Sequence, residues 1–266
     1  MSHPQDAGHK FRFISGSGEG PLLSTHHSTA SPLTRAWRGL VATFRELEGT
    51  AWGGLLLGNV WPAYVFALPL AARVWNLSRA PRDGSLHAQA ALLQETVTVI
   101  FLALVVVLFV IRRRRIEGKR ATLGPGLVAL IGTFLLNGVA YLPVEDTTST
   151  ESLLASSAVV IVGTVFTIWS LATLGCCFGL FPEVRGLVTR GPYRLVRHPV
   201  YLGELTSAVG MLLAKPHPLV VVTFAVFVAL QYWRTIYEER ALSATFPEDY
   251  PSYRRRVPRL LPGWRA

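Results

Sequence analysis

The run Ala88–Ile111, AQAALLQETVTVIFLALVVVLFVI, decides how the rest of the chain is read. It is 24 residues long, with Gln94 and Glu95 as its main polar interruption, and it stops abruptly at Arg112-Arg113-Arg114-Arg115. At about 1.5 Å per helical residue, such a run crosses a hydrocarbon core of about 30 Å. Inside that core every backbone group must be paired within the protein, so a run of this kind is expected to be a spanning helix.

Three further runs flank it. The 24 residues between Glu48 and Arg73 carry no charge, nor do the 24 between Arg120 and Glu145, and between Glu151 and Glu183 lie 31 more. Two shorter runs, about Pro199 to Ala214 and Pro216 to Trp233, meet at Lys215-Pro216-His217-Pro218. Two prolines in four residues mark a turn, so these runs read as the arms of a helical hairpin, with Glu204 in the first arm. The expected fold is all-α integral membrane: a multi-span bundle of four helices over 49–175, then a C-terminal hairpin and tail over 176–266.

Composition agrees. Half of the 266 residues are hydrophobic and 16% are charged, against about 25% in soluble domains. The formal charge is +10. A soluble protein of that charge would point to nucleic acid, but here the basic residues bracket apolar runs, so their expected neighbours are membrane lipids and no nucleic-acid partner is expected. The two cysteines, adjacent at Cys176 and Cys177, cannot build a disulfide framework, and the seven histidines show no ligand spacing, so no metal is expected either.

Arginine and lysine gather in short loops that stay in the cytoplasm. The segment from Arg112 to Arg120 holds six of them, and the segment after the fourth run holds Arg185, Arg190, Arg194 and Arg197. Between these, Val144–Glu151 has none. The alternation expects a multi-pass protein with both termini in the cytoplasm, the inner membrane in a bacterium or the endoplasmic reticulum in a eukaryote. The loop with Arg73, Arg79 and Arg82 is discordant. Residues 1–32, rich in Ser, Gly and His, contain no apolar core of a signal peptide and are expected to be disordered. Residues 33–48 alternate Leu33, Trp37, Leu40, Val41, Phe44 and Leu47 with charges at helical spacing. They read as an amphipathic helix on the interface, or as one packed on protein.

Candidate chemistry sits in two places. The glycines at 16, 18 and 20 lack the preceding strand and following helix that a phosphate loop requires. The connector Pro182–Glu204 is more informative: Gly186, Gly191-Pro192 and Pro199 break any long helix between two apolar runs, and Arg185, Arg190, Arg194, Arg197 and His198 crowd the same stretch. A polar connector at the membrane face can offer unpaired backbone groups to a ligand, or simply meet lipid headgroups. The second place is Gln231–Arg240, where Arg234 and Glu238 are four apart and share a helix face. They form an ordinary ion pair, or else Arg234 grips an anionic substrate group while Glu238 accepts hydrogen bonds from a hydroxyl- or amine-bearing cofactor. Among intramembrane carboxylates, Glu95 either pairs with Arg73 or faces water, and Glu204 is a functional candidate because a carboxylate is costly in lipid.

Together, Leu187-Val188-Thr189-Arg190-Gly191-Pro192-Tyr193, Arg197-His198-Pro199-Val200-Tyr201-Leu202-Gly203 and Glu238-Glu239 with Phe246, Tyr250 and Tyr253 resemble the isoprenylcysteine carboxyl methyltransferase family and its phospholipid methyltransferase relatives. The resemblance covers roughly 174–262 and implies S-adenosyl-L-methionine as cofactor, in a cytoplasm-facing pocket, with a lipophilic small molecule or prenylated acceptor entering from the bilayer. It implies that Arg185, Gly186, Leu187, Val188, Tyr193, His198, Pro199, Val200, Tyr201 and Glu238 bind the cofactor. Arg234 becomes the catalytic and substrate-binding residue; Glu204, one turn beyond Tyr201, is a further substrate-binding candidate on its own cost in lipid. Arg185 stands where eukaryotic members carry histidine, and Pro247 where glycine is usual.

Methyl transfer from a sulfonium is an in-line displacement that needs alignment and exclusion of water more than acid–base groups. A carboxylate acceptor is ionised at pH 7, whereas an amine must lose a proton. Arg234 therefore favours carboxyl methylation, with lipid N-methylation as the alternative. A nicotinamide-dependent membrane reductase, a small transporter and a non-catalytic lipid-binding protein are the remaining readings. The transporter is disfavoured because the polar residues cluster at one membrane face instead of at the midplane.

Overall fold

A computed structural model of the protein describes residues 50–80, 83–112, 128–135, 149–179 and 184–263, with Ser31, Ala36, Gly39 and Thr43. Contacts divide the chain into two compact units, Met1–Arg45 and Glu46–Ala266. The segment expected to be disordered and most of the amphipathic stretch lie outside the described residues. Within that stretch Ala36, Gly39 and Thr43 are helical, and the Thr43 hydroxyl donates to the Gly39 carbonyl at 3.1 Å.

In the second unit every described element is a helix. α1, Ala51–Leu55, begins where the Thr50 hydroxyl accepts from the Gly53 N–H, and passes through a π-helical turn, Leu56–Val60, into α2, Trp61–Arg79. α3 is Leu86–Ile111, capped by Ser85. Residues 128–135 form α4, and α5 spans Thr150–Leu174 with Ser149 as its cap. Serine and threonine recur at these starts because their hydroxyls accept from the first unpaired N–H groups of a helix. A 3₁₀ turn, Gly175–Cys177, ends α5. The connector carries a second such turn, Gly191–Arg194, and α6 (Pro199–Ala214), α7 (Pro218–Thr245) and α8 (Asp249–Arg256) follow.

Three of these are long and apolar enough to cross a membrane: Leu86–Ile111, Glu151–Cys177 and Pro218–Thr245. They correspond to the second and fourth expected spans and to the second hairpin arm. The first expected span is helical but is not among the three. Its apolar residues are interrupted by Asn59 and by Pro69 within α2. Of the third, only α4 is described. α6 is apolar but has 16 residues, fewer than a span requires. α7 runs to Thr245, twelve residues past the end of its apolar run at Trp233, and so carries Arg234 and Glu238 on one helix as their spacing implied. The charges that end its apolar run do not end the helix, because no proline follows before Pro247 and because Gln231, Arg234, Thr235 and Glu239 are buried against protein.

The most extensive packing joins α5 to α6, and it depends on missing side chains. A Cβ on Gly163 would lie 2.5 Å from the Ser207 backbone nitrogen, and one on Gly210 would lie 2.6 Å from a Val160 methyl. Close approach lets Ser156 donate to the Gly210 carbonyl at 2.7 Å and Ser207 to the Val160 carbonyl at 3.3 Å. Small residues at such crossings are the usual device where lipid supplies no hydrophobic drive between helices. α2, α3 and α4 meet in a cluster of rings, with Phe66 stacked on Phe109 at 5.5 Å and on Phe134 at 5.7 Å. Phe178, just beyond the turn that ends α5, meets Phe109 edge-on at 5.0 Å. Arg73 donates to Glu95 at 2.5 Å between α2 and α3, so of the two expectations for that carboxylate the pairing is the one seen. Tryptophans and aliphatic side chains such as Trp52, Trp61, Ile100, Val162, Val222 and Trp233 point outward.

Candidate active site

The connector 184–198, the C-terminal half of α7 and α8 surround a cavity that reaches down to Phe66, Phe101 and Val105 of the helix bundle. It encloses about 1180 Å³ of empty space, part of it open to solvent. Its lower wall is apolar and its upper wall polar, a gradient suited to a ligand with a chain and a charged head.

Helical spacing explains how α6 and α7 furnish that wall. Val200, Tyr201 and Glu204 lie within about one turn of α6, and Arg234, Glu238 and Leu242 recur at intervals of four on α7. Glu238 accepts a short hydrogen bond from the Tyr201 hydroxyl, and its other oxygen lies 3.6 Å from His198 Nδ1. The Arg234 guanidinium sits over the Tyr201 ring, 4.7 Å from its centre. Its Nη1 donates to Gln231 Oε1 at 3.0 Å, and Gln231 in turn donates its amide to Glu204. Tyr201 stacks on His198 at 5.8 Å.

Behind the cavity wall a second network ties three segments together. Glu239, with its side chain 5% exposed, accepts from Arg197 Nε at 2.9 Å and from Arg259 Nη2 at 2.9 Å, and lies 3.3 Å from His198 Nε2. Arg197 also donates to the carbonyls of Arg254 and Val257, while the backbone N–H groups of Arg197 and His198 donate to Pro258 and Arg259. Burial alone would push the His198 pKa down. Its hydrogen bonds to Glu238 and Glu239 outweigh this and raise it. Burial pushes Tyr193 well up, so its phenol stays protonated. The Tyr253 hydroxyl donates to the Tyr193 carbonyl at 2.7 Å and fixes the 3₁₀ turn from below.

Of the residues singled out from sequence, Arg185, Gly186, Leu187, Val188, Tyr193, His198, Val200, Tyr201, Glu204, Arg234 and Glu238 all line this one cavity. Pro199 does not; it is buried at the first position of α6, where its missing N–H costs nothing. Sequence reasoning missed Gln231, which is fully buried beneath Arg234, and the clamp of Arg197, Glu239 and Arg259. The partners of that clamp lie 42 and 20 residues apart, beyond any helical period. Tyr250 and Tyr253 line the cavity too, and Cys177 lies against Gly186, where a Cβ would come within 2.7 Å of its sulfur. Among the described residues no three His, Cys, Asp or Glu side chains group to hold a metal ion.

Residues 152–249 match the model of the phospholipid methyltransferase family. The resemblance read from the motifs holds. The chain is 33% identical over 109 residues to protein-S-isoprenylcysteine O-methyltransferase B of Arabidopsis thaliana, covering 39% of this chain and 55% of that protein. It is 41% identical over 78 residues to the A form from the same plant, covering 29% and 40%. The cobalt-zinc-cadmium resistance protein CzcN of Cupriavidus metallidurans is 39% identical over 98 residues, covering 35% and 45%. The chain thus spans about half the length of the curated relatives it matches, and the family match, 152–249, contains nearly all of α5 and the whole of α6 and α7.

Proposed function

We propose that this chain is an integral membrane methyltransferase that uses S-adenosyl-L-methionine to esterify the carboxylate of a lipophilic or prenylated acceptor. The observation that carries the reading is the convergence of Tyr201, His198, Arg234 and Glu238 on one wall of a cavity whose floor is apolar. In this reading α6 and α7 are the arms of a hairpin, the cavity opens toward the cytoplasm, and both termini lie on that side.

The residues present fit the cofactor. Its amine and ribose hydroxyls need acceptors, and Glu238 keeps 26% of its side chain accessible beside the cavity. Its polar edges need backbone groups, and among the described residues the backbone of Gly186, Leu187 and Val188 makes no hydrogen bond to other backbone. Among the described residues the Tyr250 hydroxyl, buried in the cavity lining, has no hydrogen-bond partner and stands ready for one. Arg185, Tyr193, His198, Val200 and Tyr201 complete the wall, and Pro199 sets the start of the helix that carries Tyr201.

When bound, the cofactor supplies an electrophilic methyl on sulfonium. What the chain does is orient and enclose. Arg234, held by Gln231 at 3.0 Å and near Thr133 at 3.5 Å, presents its fork to an acceptor carboxylate already ionised at neutral pH. Phe66, Phe101 and Val105 receive the lipophilic chain and keep water out.

The name of the matched family favours a second reading, N-methylation of a phospholipid amine. That acceptor must lose a proton, which Glu204 or Glu238 would take. Arg234→Ala and Glu238→Gln test the assignment. With Arg234 on the acceptor, Arg234→Ala abolishes methylation of N-acetyl-S-farnesylcysteine and leaves S-adenosylhomocysteine affinity within a few fold. Glu238→Gln loses a charge-assisted hydrogen bond, about 1.5–3 kcal/mol or roughly ten- to hundredfold in that affinity. Equal, mild effects of both would retire it, and turnover of phosphatidylethanolamine alone would select the second reading.

A further inference from the structure

Five arginines that the cavity does not use lie on two segments packed together behind its wall. Arg190 and Arg194 stand at the two ends of the connector's 3₁₀ turn, and Arg254, Arg255 and Arg256 end α8; all five are exposed. The segments are bound to each other. The Tyr253 hydroxyl donates to the Tyr193 carbonyl at 2.7 Å, and Arg197 donates to the carbonyls of Arg254 and Val257 at 2.9 and 2.6 Å. Among the described residues none of the five makes an ion pair, and Glu248 and Asp249 sit at the opposite end of α8. Cations in the last turn of a helix suit its dipole, which accounts for the three of α8 as a local matter. It does not account for Arg190 and Arg194, which bring the same sign of charge to the segment packed against them. Five like charges on two packed segments repel, and the repulsion opposes the bonds that hold the connector to the tail.

The depth of the patch says what covers it. Tyr232 and Trp233, which close the apolar run of α7, are both exposed, as aromatic side chains are at a bilayer interface. The Arg259 guanidinium sits over the Tyr232 ring, 5.4 Å from its centre, and holds the tail at that level. Leu195, beside Arg194, and Leu261, two residues past Arg259, are exposed as well. Apolar side chains among cations suit the boundary between phosphates and acyl chains, and a soluble anion would leave them in water. We infer that Arg190, Arg194, Arg254, Arg255 and Arg256 form a docking surface for the phosphates of anionic phospholipids in the adjoining leaflet, and that this contact strengthens the cavity. The coupling runs through the backbone. The carbonyls of Pro258 and Arg259 take the N–H groups of Arg197 and His198 at 2.8 and 3.1 Å, and His198 stands between Glu238 and Glu239 at the cavity wall. Phosphates that neutralise the five arginines relieve their repulsion and tie both segments to one surface, so the wall is held more firmly in an anionic bilayer than in a neutral one.

The test places the full-length protein in nanodiscs of phosphatidylcholine alone, or of phosphatidylcholine mixed with phosphatidylglycerol, and reads Tm and the affinity for S-adenosylhomocysteine in each. The affinity rests on the methyltransferase reading above; Tm does not. The expected result is a higher Tm and about five- to tenfold tighter binding in the anionic discs. Both differences close at about 1 M salt, where the screening length falls to about 3 Å. Arg254→Lys, Arg255→Lys and Arg256→Lys together keep the differences. The same three changed to Gln close the affinity gap to within about twofold and leave binding in neutral discs unchanged or improved, because the repulsion goes with the charge. Arg190→Gln with Arg194→Gln narrows the gap with α8 intact. Arginines that serve only to end α8 would, as glutamine, weaken binding equally in both discs and leave the gap standing, which overturns the inference. Equal Tm and affinity of the unaltered protein in the two discs also overturn it, as does an equal gain when inorganic phosphate is added to the neutral discs. Binding of S-adenosylhomocysteine in neither disc overturns the methyltransferase reading, and Tm then decides the inference by itself.

Discussion

Glu239 meets Arg197, His198 and Arg259 behind the cavity, so its removal gives the sharpest structural test. Glu239→Ala strips the acceptor from Arg197, whose side chain is 5% exposed, and from Arg259, at 24% exposed, and it removes one of the two carboxylates that hold His198. Arg197 keeps the Arg254 and Val257 carbonyls at 2.9 and 2.6 Å, so its donors are not all orphaned, but its charge is left without a counter-charge in a buried place. Breaking a buried pair from one side costs about 3–5 kcal/mol. At about 2–4 °C per kcal/mol for a domain of this size, Tm should fall by roughly 6–20 °C. The assay is thermal unfolding in detergent, followed by tryptophan fluorescence. Glu239→Gln keeps the shape and one acceptor and should lie between. The double substitution Arg197→Met with Glu239→Ala should recover part of the loss, since the orphaned charge is gone. A Tm within about 2 °C of the unaltered protein, below about 1 kcal/mol, would refute the view that this network carries the connector and the tail.

Two more predictions concern the frame of the site. Gly163→Val should lower Tm and cost about 1–3 kcal/mol or more, because its Cβ would meet the Ser207 backbone nitrogen at 2.5 Å, which a rotamer change cannot relieve; unchanged unfolding would deny the close α5–α6 crossing. His198 has its pKa raised above the ordinary value of about 6.5, so its charged form stabilises the fold fully below that pH, and the contribution is lost as pH climbs through the raised value. Tm should therefore decline above neutral pH through this residue, and His198→Gln should remove that part of the slope; an identical slope in the variant would contradict the assignment.

The sequence was read most easily where one period or one apolar run decides the matter. Ala88–Ile111 and the run after Glu151 read as helices because each is long and mostly apolar, and the motif residues from Arg185 to Tyr201 gather around one cavity because the turn at Gly191-Pro192 and the helix start at Pro199 fold the connector back on α7. What could not be read depends on partners far apart in the chain. Arg197, Glu239 and Arg259 each look like a surface charge until the fold buries them together. Gln231 looks like the last polar residue before a headgroup region, and only the approach of α6 turns it into the link between Glu204 and Arg234. Gly203 and Gly210 are seven apart and share one face of α6, but that this face meets Gly163 of α5 appears only in three dimensions. Along α7 the apolar run ends at Trp233 while the helix continues, and the charged turns beyond it carry Arg234 and Glu238 to the cavity.

The most direct measurement is a calorimetric titration of the detergent-purified protein with S-adenosylhomocysteine and, separately, with NADPH. A cavity walled by Glu238, Tyr201, His198 and the backbone of Gly186–Val188 should bind S-adenosylhomocysteine with saturable heat and show none with NADPH, and Glu238→Gln should weaken the binding roughly ten- to hundredfold. Saturable NADPH binding with no response to S-adenosylhomocysteine would contradict the methyltransferase account.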